Sequence, residues 1–417
     1  MLSTLRSVLT SLGPGMLYAA VAVGVSHLVQ ATRAGADYGL GMLLVVLFAC
    51  LMKYPGLRFG GEFAAATGKN LVTNYREQGW IVFGLFAVSQ LFSMVFIVAA
   101  VSLFTSGLLQ VALGYQTGPV LSVVILLALV SVLLITGHYR LLERVIKYIV
   151  VGFTILTTLC MLLVINRLDW SFGALAMPGF DVPTVLFIVA LVGFMPSPTD
   201  ASILQSLWTV ARAEGQNRRA TKEESRFDFN VGYVTSCVLA VFFLFLGTAV
   251  LFQSGVEMPP DNAGFARRLL EVYTSIMGDW SYSIMAITAL CVMLSTALTV
   301  TDGMTRMALA IGEESFPNAN WHGDRHYTIA LITLCCASTL VIQTLLQSFA
   351  TFMDMTSVIV FLIGPFLAVL NHRAIYSDEV PAEKQPGELI RWWSIISIVS
   401  LFALMAVYSY YRLFVPA

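Results

Sequence analysis

The chain has 417 residues, 58% of them hydrophobic and 11% charged, with a formal net charge of −1. Soluble domains carry roughly 25% charged residues, so the composition excludes a water-soluble body and indicates an all-α integral membrane protein. The net charge carries no information about partners.

Taking about 20 apolar residues as one crossing, spans are predicted near 13–36, 41–66, 80–113, 118–137, 142–166, 183–210, 229–254, 278–311, 327–346, 349–371 and 390–412, eleven in all. The first follows Arg6 and opens near Leu12 with no small-residue cleavage site, so it reads as a retained helix. At about 1.5 Å per residue, ten residues from Pro14 reach the middle of a roughly 30 Å core, where Gly24-Val25-Ser26-His27 interrupts the run. In the second span Lys53 and Glu62 flank Tyr54-Pro55, and mutual pairing or snorkelling would account for both. The third and eighth spans are too long for one straight crossing and imply helical extensions or a strong tilt. In the sixth, Pro196 and Pro198 remove backbone donors around Ser197-Pro198-Thr199-Asp200, so helix cannot pass unchanged. Thr199 or Asp200 can then cap a half-helix from Ala201 to Val210. The six cysteines lie in apolar spans without metal-ligand spacing and read as packing residues.

The basic run from Arg212 to Arg226 reads as a topology signal. With the N-terminus inside, only Arg33, Arg167, Arg267, Arg268 and Arg412 of the 23 Lys and Arg fall outside. The positive-inside rule therefore places the N-terminus in the cytoplasm and the C-terminus outside, in the cytoplasmic (inner) membrane.

Two breaks at mid-depth leave backbone groups that hydrocarbon tolerates only where they face protein, water or a bound solute. Their occurrence in corresponding halves points to a transporter's central site. Candidate substrate-binding residues are Gly24, Ser26 and His27 in the first break and Ser197, Thr199 and Asp200 in the second. Asp200 reads as a helix cap or as a ligand, including a metal ligand, because a carboxylate at this depth is costly without a partner. His27 either bonds a neighbouring helix or faces the cavity and titrates. Asp302, with Ser295, Thr296 and Thr299, offers oxygens to a coupling ion, unless the hydroxyls bond back to helical carbonyls. Asp354 is a further acid, either a coupling site or interfacial. A phosphate loop with Gly-Lys-Ser/Thr and paired histidines at metalloprotease spacing are both absent from the sequence. Neither ATP, an enzyme activity nor a cofactor is expected, and a Na+ or H+ gradient is the expected driving force.

Several segments carry a family likeness. Gly13-Pro14-Gly15 and Ala34-Gly35-Ala36 bound the first span, Arg58-Phe59-Gly60 and Thr67-Gly68-Lys69 end the second, and Leu204-Gln205-Ser206 leads into the basic loop after the sixth. These resemble the Nramp family of metal-ion transporters over most of the chain. The resemblance implies a leucine-transporter-type fold in one domain, 1–417, with inverted five-helix repeats over about 13–166 and 183–371 and an extra helix at 390–412. It also implies discontinuous first and sixth helices.

The family's first-helix signature Asp-Pro-Gly-Asn falls on Gly24, Val25, Ser26 and His27, and its sixth-helix Met-Pro-His-Asn on Ser197, Pro198, Thr199 and Asp200. Another register of the latter starts at Met195-Pro196. The third helix, Leu91 to Leu109, lacks the carboxylates that the family uses for proton transfer. Hydroxyls, one carboxylate and one imidazole form a harder donor set than thioether, carboxylate and amide. The resemblance implies a secondary transporter of a divalent cation, Mg²⁺ or Mn²⁺. The lost acid, the gained histidine and the half-helix N-termini leave open a sodium- or proton-coupled symporter of a small anion such as bicarbonate. A non-transporting solute sensor is a third reading. Expected partners are a small inorganic ion and the lipid bilayer, without nucleic acid, and a monomer is compatible with the sequence.

Overall fold

The computed structural model describes residues 13–137, 139–253, 255, 258–319, 321 and 323–415, with only the backbone for 139–150. Arg6 and Leu12 lie outside the described residues. Regular structure among the described residues is all helical. In chain order it comprises α1 (Pro14–Ala22), a π-helical turn Ser26–Ala31 running into α2 (Thr32–Tyr38), α3 (Leu43–Thr67), α4 (Leu71–Glu77), α5 (Trp80–Leu113), α6 (Pro119–Thr136), α7 (Tyr139–Val164) and the short α8 (Phe172–Leu175). There follow α9 (Val182–Phe194), α10 (Ala201–Gln216), α11 (Lys222–Gly247), α12 (Asn262–Met277), α13 (Ser281–Ser315), α14 (Asp324–Leu345), α15 (Phe349–Ile375) and α16 (Glu388–Phe414).

Eight helical stretches are long and apolar enough to cross a membrane, and two shorter apolar helices accompany them. The chain is a multi-pass membrane protein. The two over-long spans are single helices, α5 of 34 residues and α13 of 35. On α16, Leu389, Trp392, Ile396 and Val399 are exposed at helical spacing, an apolar face suited to lipid.

Local chemistry sets the ends of these helices. Gly68 in the left-handed conformation closes α3. A reciprocal capping box of Thr221 and Glu224 opens α11 after the basic loop.

The helix α1 has Pro14 in its first turn and no cap of its own. Its free N–H groups are met from α11 instead: Asp228 accepts from the Gly13 N–H at 3.0 Å and from the Gly15 N–H at 2.8 Å. Backbone meets backbone along this interface. A Cβ on Gly15 or Gly232 would overlap the main chain of the other helix, and the same holds for Gly35 and Gly247 between α2 and α11. The glycines at both ends of the first span are therefore packing requirements, since only a residue without a side chain lets two helices approach this closely.

Lys53 and Glu62 do not pair with each other. Glu62 accepts from Arg58 Nε, one turn earlier on α3, at 2.7 Å, and Lys53 reaches a different partner described below.

Candidate functional site

Both broken helices are interrupted where the sequence places the interruptions. α1 ends at Ala22, and the chain resumes helical hydrogen bonding through the π turn after Val23 and Gly24. Hydroxyls meet the carbonyls at this end, beside the Gly24 N–H that also donates to Ala22 O at 2.9 Å. Ser26 Oγ donates to Ala22 O, and Thr296 Oγ1 of α13 donates to Ala20 O at 2.9 Å. Gly24 lies against the same threonine: a Cβ there would stand 2.8 Å from Thr296 Cγ2.

His27 is fully buried and directed at α11. Its Nε2 lies 2.7 Å from Ser236 O, so Nε2 carries a proton, and its Nδ1 lies 2.8 Å from Ser26 Oγ. Both nitrogens are thus engaged by protein. The geometry gives His27 the helix-bonding role rather than the cavity-facing one.

At the second break α9 ends at Phe194 and α10 begins at Ala201. The carbonyls at the end of α9 converge on a cation supplied by α3. Lys53 Nζ donates to Val192 O at 2.9 Å, Gly193 O at 2.8 Å and Ser197 O at 2.7 Å, and the residue is 5% exposed. Its three ammonium protons match these three acceptors.

Asp200 stands at the start of α10 but makes no side-chain capping bond, and neither does Thr199. The Asp200 carboxylate instead accepts from Gln90 Nε2 of α5 at 3.0 Å. Gln90 is fully buried, and its Oε1 has no hydrogen-bond partner. Lys53 and Asp200 interact through space without forming a direct ion pair. Ser197 Oγ meets Tyr18 OH of α1 at 2.8 Å, which joins the two broken helices. Met195, the start of the alternative register, is buried at the end of α9.

The structure thus gathers Ser197, Thr199 and Asp200 with Lys53, Gln90 and Tyr18, and sets His27 against α11 with Ser26 on its other ring nitrogen. Gln90 and Tyr18 were missed in the sequence, although Gln90, one of two glutamines in the apolar run 80–113 and the one far from its C-terminal end, is a usable signal.

The proposed coupling residues separate. Thr296 serves Ala20 O and Val292 O, and Thr299 donates back to Ser295 O at 2.9 Å. Asp302 lies six residues beyond Thr296, about 9 Å along the helix. Arg306 Nε holds it at 2.8 Å and Tyr327 OH at 2.6 Å. Asp354 is neither free nor merely interfacial. It accepts two bonds from the buried Arg33 guanidinium, at 2.6 and 3.1 Å, and one from Gln30 at 3.2 Å, tying α2 to α15. Among the described residues, no group of three or more His, Cys, Asp or Glu is arranged to hold a metal ion.

The family model "Nramp: Natural resistance-associated macrophage protein-like" matches residues 15–412. The chain belongs to the Nramp family. An uncharacterized protein of Pasteurella multocida (strain Pm70) is 30% identical over 413 residues, covering 96% of this Nramp chain and 92% of the relative. Among solved structures, a manganese transporter of Eremococcus coleocola superposes with a TM-score of 0.70 at 15% identity, over 100% of this chain and 90% of that one. MhsT in complex with L-phenylalanine superposes with a TM-score of 0.66 at 15% identity, over 94% and 98%. These likenesses fix the fold as the leucine-transporter type. Nramp chains are transporters, and this one is not an enzyme.

Proposed function

We propose that this Nramp-family protein is a secondary active transporter of a cation, nominally the divalent Mg²⁺ or Mn²⁺, working by alternating access around its two helix breaks. One observation carries the reading: at the second break the charged donor is saturated while an acceptor is left over. Lys53 spends its protons on three carbonyls, and Gln90 Oε1, on the side chain that holds Asp200, has no partner. An electron-poor cargo finds oxygen there, whereas an anion finds the ammonium already engaged. The family and the manganese-transporter fold support a metal ion as that cargo. The distribution of Lys and Arg supports a cytoplasmic N-terminus and an external C-terminus in the inner membrane.

Flux into proteoliposomes tests the proposal, with Mn²⁺, Mg²⁺ and bicarbonate supplied separately. Divalent uptake is expected, and Asp200→Asn should lower it at least about tenfold, the worth of one charge-assisted contact, while the protein stays monodisperse. Bicarbonate flux without divalent uptake would replace the proposal with anion symport. Saturable binding without flux of any of these ions would make the chain a sensor.

A further inference from the structure

We infer that Lys53 stands in for a bound monovalent cation: its ammonium is a tethered replacement for the coupling ion that the broken α9 would otherwise hold at its C-terminal end. The last carbonyls of any helix lack internal partners and lie at the negative end of its dipole. In transporters built on discontinuous helices, such carbonyls and the unwound backbone beside them are where sodium binds. Here Val192 O and Gly193 O come from the helix end and Ser197 O from the unwound segment, and all three meet at one Nζ. The contacts of 2.7–2.9 Å are those of charge-assisted hydrogen bonds, so all three carbonyls point their lone pairs at one positive centre.

The choice of partners is the second argument. A buried lysine ordinarily pairs with a carboxylate, yet Asp200 forms no direct pair with Lys53, and backbone carbonyls do all the holding. Lys53 also comes from α3, outside both broken helices, as an ion would come from outside them. The coupling-ion candidates on α13 do not form an alternative cage: Thr296 donates to Ala20 O and Val292 O, Thr299 to Ser295 O, and Asp302 is held about a turn and a half beyond Thr296 by Arg306 and Tyr327. At the end of α9 the chain therefore carries its cation covalently and needs no free Na⁺ or K⁺ there. This holds whatever the cargo, so it stands apart from the proposed substrate.

The test is thermal unfolding of the full-length protein in detergent, in chloride salts of Na⁺, K⁺ or choline at equal ionic strength, with no cargo present. The unsubstituted protein should unfold at one temperature in all three. Lys53→Ala leaves the carbonyls and room for an ion. It should unfold earlier in choline and recover by about 2 °C or more, saturably, in Na⁺ or K⁺. Lys53→Met fills the same space without charge and should lose stability with no salt response. Where the alanine variant cannot be purified, Lys53→Ser takes its place with the same expected ranking of salts, since its short side chain also leaves the carbonyls and room for an ion. Identical unfolding of the alanine or serine variant in all three salts would reduce Lys53 to a helix cap and overturn the inference. So would a monovalent-cation requirement in the unsubstituted protein, read as unfolding or as flux.

Discussion

At the first break the released carbonyls of α1 are met by neutral hydroxyls, Ser26 on Ala22 O and Thr296 on Ala20 O, whereas at the second those of α9 meet a full positive charge from Lys53. A neutral hydrogen bond nets about 0.5–1.5 kcal/mol and can be exchanged for one to water. A buried ammonium cannot be withdrawn so cheaply, because the charge and the carbonyls it leaves must all be resolvated. The two breaks therefore differ in stiffness: the first can be remodelled locally, and the second is pinned by a neighbouring helix.

The largest effect should come from Lys53→Met. It strips three carbonyls of their donor and leaves the buried Asp200 without its countercharge, for a loss of about 3–5 kcal/mol in thermal unfolding. A loss no larger than that of Ser26→Ala, about 1 kcal/mol, would make the breaks equivalent and erase the contrast. Next comes Gly24→Ala, whose new methyl would collide with Thr296 Cγ2 at the cost of about 1–3 kcal/mol. Thr296→Ser in the same chain removes that carbon while keeping the hydroxyl on Ala20 O, so the double variant should recover most of the stability. Failure to recover would show that Gly24 is required for its backbone rather than for the room it gives Thr296. The smallest effect is expected from Asp302→Asn, which loosens a pair with an exposed arginine and should cost less than about 1 kcal/mol. Flux should persist in that variant, and its collapse would return Asp302 to the coupling site.

The positions of the breaks were legible because their signals are local: Gly24 in one, Pro196 and Pro198 in the other. The extents of α5 and α13 were legible for the same reason, as unbroken apolar runs. Lys53 was visible as a charge at depth, but its partners are main-chain atoms 139 to 144 positions away, and main-chain atoms carry no residue-specific mark. The direction of His27 depends on Ser236 O, 209 positions away, and the pairing of Asp354 on Arg33, 321 away. Only the three-dimensional path brings them together. The partners of Asp302 went unread for a different reason. Arg306 sits one turn further on the same helix, a spacing that favours an ion pair, and the nearby hydroxyls drew attention from it.

The seats of Gly15 on Gly232 and of Gly35 on Gly247 put both parts of the first broken helix on one long support, α11. Beside these backbone contacts Tyr18 of α1 packs against Phe229 and Tyr233 of α11, with ring centroids 5.4 and 6.1 Å apart, so the seat resists slippage as well as separation. Along its length α1 is then held at three points: Asp228 clasps its first turn, Tyr18 OH meets Ser197 Oγ, and Thr296 Oγ1 donates to Ala20 O near its end. α11 is thus a common mount for both sides of the first break, so that any displacement of α11 is delivered to α1 and α2 together.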